Sequence, residues 1–246
     1  MKYQATFVTG ALFAVVACGG CNSSPGRPGP DSEVIPPDQI MEFNVLYASN
    51  CAGCHGLNGT GGAAVSLNDP VFLAIADDVA IRRTATNGVP GTPMPAFAQS
   101  AGGMLTDKQI DAIVSGIRSW AKPGSLNGVS LPAYAVQPAG DPHKGAEVYA
   151  TYCSACHGPD GKGGKRASSI VSGAYLALVS DQDLRTNVIV GRPEMGAPDW
   201  RDEVPGRPMS AQEISDVVAW LAGQRPPYPG QPYPKPSMDR AAGGLP

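Results

Sequence analysis

Two short strings concentrate the reactive side chains of this 246-residue chain: Cys51-Ala-Gly-Cys54-His55-Gly56 and Cys153-Ser-Ala-Cys156-His157-Gly158. Three chemistries use a Cys-x-x-Cys pair. A structural zinc site needs four converging ligands, usually from pairs separated by short gaps. Here each pair stands inside its own complete repeat. A thioredoxin-type dithiol belongs in a βαβ setting and has no use for a histidine directly after it. Covalent haem attachment uses all three side chains. Both thiols add to the vinyl groups of the macrocycle, and the imidazole must follow directly to reach the iron from the same face. Found twice, the motif points to two covalently bound haem c groups.

The elements that would position these motifs also occur twice. The motifs lie 102 residues apart, and "GLNGTGG" (Gly56 to Gly62) stands over "GPDGKGG" (Gly158 to Gly164) with every glycine shared. "PVFLAIADD" stands over "GAYLALVSD", "NGVPGTPMPAF" over "VGRPEMGAP", and "LTDKQIDAIVSGI" over "MSAQEISDVVAWL". Two copies at so long a period indicate a duplicated domain rather than a solenoid. Each copy reads as helical with long loops. Ile40, Phe43 and Tyr47 fall at helical spacing ahead of the first motif, and Asp141-Pro142 opens a helix ahead of the second. Thr106-x-x-Gln109 and Ser210-x-x-Glu213 are capping boxes. Behind them, Ile110, Ile113, Val114 and Ile117 form an apolar face matched by Ile214, Val217, Val218 and Leu221. No alternating run of β-branched residues argues for a sheet, so the fold class is all-α.

Composition agrees. Charged residues make up only 16%, while the 31 Gly and 25 Pro suit small, loop-rich domains. The formal charge is −3 with no Lys/Arg run, which excludes nucleic acid and an anionic lipid patch as binding partners. The N-terminus reads as an export address: Lys2, then an apolar stretch from Ala5 to Ala17 too short for a permanent membrane span. It ends in "VVAC", Val15 to Cys18, which resembles the bacterial lipobox. That resemblance implies lipidation of Cys18, with Cys21 and an ordinary cleaved signal as the alternatives. Loss of residues 1–17 removes one Lys and no acid, leaving about −4. The divisions read from the sequence are a signal peptide (1–17), a Gly/Pro-rich tether (18–36) and domain 1 (37–121). A Gly/Pro-rich linker (122–140), domain 2 (141–224) and a Pro-rich tail (225–246) follow.

In order, each repeat has a helix, Cys-x-x-Cys-His-Gly, a Gly-rich loop, a Met-bearing loop and a capped final helix. This resembles the class I cytochromes c, and the tandem pair resembles their dihaem members. Carried over by position, Cys51 and Cys54 hold one haem with His55 as proximal ligand, and Cys153, Cys156 and His157 hold the other. Only three histidines exist, and the spare, His143, falls on the opening helix of the second repeat. The ligand opposite each imidazole is therefore expected to be a methionine: Met94, in "GTPMPAF", and Met195, in "RPEMGAP". Both are expected at one shared loop position, with Met104 and Met209 as matched rivals. Arg82, Arg83 and Arg185 precede the Met loops and are candidates for the haem propionates, or plain exposed helix charges. The family places Gly eight residues before the first Cys, under an aromatic of the final helix. Gly145 and Trp220 keep this pattern, whereas the first repeat inverts it, predicting Phe43 over Gly116. Val65 and Ser168 stand near the usual proline whose carbonyl orients the proximal histidine, leaving the acceptor open.

With both irons six-coordinate, no position is open for a substrate. The resemblance then implies an electron carrier exchanging electrons with a donor and an acceptor protein, alone or in a respiratory complex, lipid-anchored on the periplasmic side of a bacterial membrane. A dihaem peroxidase or thiosulfate-oxidising enzyme is the alternative. The first needs an iron that can open, and the second a cysteine ligand that the paired motifs leave none to supply.

Overall fold

The computed structural model describes residues 35–124, 126–135 and 139–226. Cys18, Cys21, the signal segment and nearly all of the tether and tail lie outside the described residues. The unit that begins at Pro37 contains both repeats. Its elements in order are α1 (Phe43–Asn50), α2 (Ala52–His55), α3 (Pro70–Ile75), α4 (Asp78–Asn87) and α5 (Asp107–Arg118). After the linker come α6 (Pro142–Tyr152), α7 (Ser154–His157), α8 (Gly173–Leu178), α9 (Asp181–Val190) and α10 (Ala211–Gly223). The described residues hold no β-strand, only isolated bridges such as Ala98 with Leu105. The all-α expectation holds.

The helices α5, α6 and α10 start where their sequence signals say, whereas α1 starts at Phe43, so Ile40 lies before it. Both predicted capping boxes are formed, Thr106 with Gln109 and Ser210 with Glu213, and Ser180 with Asp183 adds a third. The Asp141 side chain accepts from the His143 N–H, with Pro142 at the first helical position. Each cap satisfies donors that the first turn would otherwise leave orphaned, worth about 1 kcal/mol apiece. The predicted apolar faces of α5 and α10 are buried: Ile110, Ile113, Val114 and Ile117 on one, Ile214, Val217, Val218 and Leu221 on the other.

Within each repeat the helix before the motif packs on the final helix, α1 on α5 and α6 on α10. The second crossing is close because α6 presents Gly145, where an added Cβ would fall 2.1 Å from the Asp216 carbonyl oxygen and 2.7 Å from Trp220 Cβ. The first crossing uses the inverted pair that the sequence predicts. A Cβ on Gly116 would lie 2.0 Å from the Phe43 ring. Volume is conserved at the crossing while its owner changes sides.

The same economy appears in two features that position-by-position matching does not reveal. Trp120 stands four residues beyond Gly116, the counterpart of Trp220. Yet its indole meets Tyr47 edge-on at 5.1 Å, as Trp220 stacks on Tyr149 at 4.4 Å, and the two rings approach the matched loop glycines Gly59 and Gly161. Arg118 and Arg225 likewise sit at unmatched places at the ends of α5 and α10. Arg118 nonetheless donates to the Leu73 and Ala76 carbonyls and pairs with Asp78. Arg225 donates to Leu176 and Val179 and pairs with Asp181, the matched acceptors.

The repeats share one continuous apolar core, in which Leu46, Phe72 and Ile113 join Val148, Ile189 and Val217. Helix α3 of the first repeat packs on α9 of the second. The described linker residues lie against this core through Leu126, Val129, Leu131 and Tyr134. Gln182 donates to the Tyr134 carbonyl at 2.8 Å and fastens the linker to α9.

Candidate haem sites

Each motif occupies one helical turn, α2 or α7, directly after the helix that packs on the repeat's last helix. The turn stops at the motif glycine, Gly56 (φ 81°) or Gly158 (φ 80°). There the chain folds back so tightly that a Cβ on Gly56 would lie 1.8 Å from the Thr60 carbonyl oxygen. Only glycine accepts both the left-handed φ and that contact. Tyr47 and Tyr149 hold the turns from behind, donating to the Gly56 and Gly158 carbonyls at 2.9 and 2.5 Å.

The returning loop answers which carbonyl orients each imidazole. His55 Nδ1 lies 2.8 Å from the Val65 carbonyl oxygen, and His157 Nδ1 lies 2.8 Å from that of Ser168. A carbonyl can only accept, so Nδ1 carries the proton and the Nε2 lone pair is left for a metal. Burial holds the His55 pKa below its usual value, opposed by the Val65 carbonyl and by Asp183, with Arg192 adding to the fall. Lowering the pKa favours the neutral imidazole that ligation requires.

The thiols also suit the haem reading. Cys51, Cys54, Cys153 and Cys156 are all free, although each pair is spaced like a redox disulfide. Burial pushes the Cys51 thiol up to about 11 and the Cys153 thiol up to about 12. They stay as neutral S–H groups rather than thiolates poised for exchange. No cluster of three or more His, Cys, Asp or Glu capable of holding a metal ion occurs among the described residues. Two thiols beside one imidazole of fixed tautomer fit covalent haem c in each repeat.

The methionine expectation needs one correction. Val89 N–H donates to the Met94 carbonyl across the first loop, whereas Arg192 N–H donates to that of Ala197 across the second. Gly88 and Gly191 anchor the two loops alike, against Pro95 and Pro198. Met94 is therefore matched by Ala197, and Met195 stands two residues earlier, on the 3-10 turn Pro193–Met195. Counting from the first cysteine hides this, because the bond's donor lies 38 residues beyond Cys51 (89 − 51) but 39 beyond Cys153 (192 − 153). Met94 is half-buried and Met195 is 74% exposed. Of the rivals, Met209 is buried in the core and Met104 is 82% exposed.

Arg82 pairs with Asp111 of α5, and Arg83 is exposed on α4. Arg185 is fully buried; it donates to the Ala133 carbonyl and the Ser215 hydroxyl, and its Nη2 has no partner among the described residues. His143 is exposed on α6. A cleft of about 380 Å³ between the repeats is lined by Thr60, Ser66, Asp69, Trp120 and Glu194 and by none of the motif residues, so it is not a haem site.

A group absent from the sequence reading joins the two sites. Arg192 Nη2 and Nη1 donate to the Gly62 and Ala63 carbonyls of the first repeat at 2.6 and 3.3 Å. Its Nε donates to Glu194 at 2.7 Å, and Glu194 accepts from the Ser66 hydroxyl at 3.0 Å. Burial opposes the Glu194 charge, but hydrogen bonds from Arg192, from its own backbone and from Ser66 hold the carboxyl below its usual range. Its sequence signal, two charges flanking a Pro in the Met loop, is too common to single out.

A duplicated all-α domain with Cys-x-x-Cys-His on a turn, its imidazole tied back by a loop carbonyl, defines a c-type cytochrome. Residues 38–115 and 140–221 both match the family described as cytochrome c oxidase, cbb3-type, subunit III, and the chain belongs to that family. It is 34% identical over 128 residues to the cbb3-type cytochrome c oxidase subunit CcoP of Azospirillum sp. (strain B510), covering 48% of this chain and 38% of the relative. It is 33% identical over 147 residues to the subunit FixP of Azorhizobium caulinodans, covering 55% and 44%. The chain thus spans about half the length of the curated relatives it matches or less. Among solved structures, the KustC0563 c-type cytochrome matches 33% of this chain and 99% of its own at 25% identity, with a TM-score of 0.29.

Proposed function

We propose that the chain is a dihaem electron carrier. One haem c is bonded to Cys51 and Cys54 with His55 on the iron, and the other to Cys153 and Cys156 with His157. Met94 and Met195 would supply sulfur as the further ligand of each iron. The observation that carries the reading is the repeated arrangement of two free thiols beside an imidazole whose Nδ1 is bound to a backbone carbonyl. When bound, haem c supplies reversible one-electron chemistry at the iron. The chain's own residues tether it, fix the tautomer and tilt of the imidazole, and close the site with soft sulfur, which favours the reduced state.

The named role of the curated relatives, subunits of an oxidase, supports a respiratory complex as partner, with a redox protein as donor. The "VVAC" string supports attachment through a lipid on Cys18 and placement on the periplasmic side of a bacterial membrane. No helix among the described residues is long and apolar enough to cross a membrane. The test is the spin state of the oxidised protein, read by electron paramagnetic resonance and near-infrared absorption. Two low-spin haems, each with a sulfur–iron charge-transfer band, are expected. A high-spin or thiolate-bound ferric haem would instead support the peroxidase or thiosulfate-oxidising reading.

A further inference from the structure

The loop that orients the His55 imidazole touches the loop that carries Met195 across the repeats. Val65, whose carbonyl orients His55, lies in the first loop between Ala63 and Ser66. Arg192 and Glu194 lie in the second, beside Met195. Arg192 grips the carbonyls of Gly62 and Ala63 on one side of Val65, and Glu194 takes the Ser66 hydroxyl on the other. Arg192 also holds Glu194, so the two contacts form one unit. The pair is largely enclosed, with side-chain exposures of 17% and 22%. Nothing equivalent can form from the first repeat, where Val89 and Gly91 fall at the positions of Arg192 and Glu194 by the loop register described above.

We propose that Arg192 and Glu194 are positioning residues that couple the two haem sites, by clamping the loop that orients the His55 imidazole to the turn that carries Met195. The proposal rests on the dihaem reading. A shift of the turn is felt at Val65, and a shift of the first loop is felt at Met195. The coupling is reciprocal, as any linkage between two equilibria must be. The Pro193–Met195 turn is held against the first repeat by Arg192 and Glu194, a contact that the loop carrying Met94 lacks. The guanidinium, moreover, adds a positive charge whose field reaches His55.

The test is a redox titration of the purified two-haem protein with Arg192→Gln, Arg192→Lys and Glu194→Gln, alongside the sulfur–iron absorption of the oxidised form. Arg192→Gln removes both the charge and the grip. Loss of the charge is expected to lower the potential of the first site, changing its reduced-to-oxidised ratio at fixed applied potential about threefold, roughly 30 mV for a one-electron couple. Loss of the grip is expected to remove about half of the sulfur–iron absorption, the share of the second site, and with it to lower that site's ratio at least tenfold. Arg192→Lys keeps the charge without the fork, so the first site's potential is expected to return towards wild type while the second site's potential and the absorption stay low. Glu194→Gln is expected to weaken the same absorption. Should Arg192→Gln not fold, Ser66→Ala, which deletes only the hydroxyl contact to Glu194, is read in the same two ways. Variants that leave the potentials or the sulfur–iron absorption at wild-type values overturn the coupling. Wild-type protein lacking covalent haem would instead overturn the reading beneath it.

Discussion

Gly145→Ala is expected to cost the folded protein about 3 kcal/mol, at the upper end of the range for overpacking a dense core. The added methyl would fall 2.1 Å from the Asp216 carbonyl oxygen. That oxygen belongs to the backbone of α10 and has no rotamer with which to yield. Nor can the helices part freely. The Asp216 carboxylate accepts from the Asp141 N–H and from Gln212 Nε2 at 2.7 Å each, fixing the start of α6 to α10. For a chain of this size the loss corresponds to a fall in Tm of roughly 9 °C. Thermal unfolding of the haem-loaded protein, followed by helical circular dichroism, measures it. Gly223→Ala is the control, because a Cβ there meets nothing within 4 Å. Its Tm should be unchanged or slightly higher. Equal Tm values for the two variants would mean that the α6–α10 crossing is not close-packed at Gly145.

Met94→Ala should have the largest effect on electron transfer itself. Removing the thioether takes away a soft donor that favours the reduced iron, so the first site's potential is expected to fall. The expected fall is at least tenfold in the reduced-to-oxidised ratio, about 59 mV or more for a one-electron couple. The loop would survive the change, because its closing bonds are made by the backbone of residue 94: its carbonyl accepts from Val89 and its N–H donates to Thr92. One potential should drop while the other stays near its wild-type value, and roughly half the sulfur–iron absorption should disappear. A titration superimposable on that of the wild type would remove Met94 from the iron and reopen the choice among the methionines.

The parts of this molecule that the sequence disclosed are those in which residue type and position stay together. The motif triplets, the two capping boxes and the apolar faces of α5 and α10 all sit where spacing put them. The exchange of Phe43 and Gly116 was legible because volume at a helix crossing must balance whichever helix supplies it. What escaped is what moves along the chain while staying in place in space. Trp120 reaches the Tyr47 slot from about one helical turn beyond the counterpart of Trp220, and Arg118 and Arg225 clamp matched carbonyls from unmatched positions. Side chains three or four residues apart share a helix face, so long ones can exchange duties that a fixed offset cannot follow. The Met loops escaped for another reason. Their register is set by one backbone bond, Val89 to Met94 in the first and Arg192 to Ala197 in the second, and backbone bonds leave no mark on residue type. Val65 and Ser168 are the residues that the sequence places nearest the orienting carbonyl, but the acceptor itself stays open there, since every residue has a carbonyl. The Arg192–Glu194 clamp, finally, depends on the packing of one repeat against the other.

A dihaem carrier requires porphyrin bonded to both halves of the chain. Intact-mass spectrometry of the purified polypeptide, combined with its pyridine haemochrome absorbance, counts the groups directly. Two covalent haems per chain are expected, one of which is lost in Cys51→Ala/Cys54→Ala and the other in Cys153→Ala/Cys156→Ala. A chain that carries one haem or none, or that keeps both when either pair of thiols is gone, would contradict it.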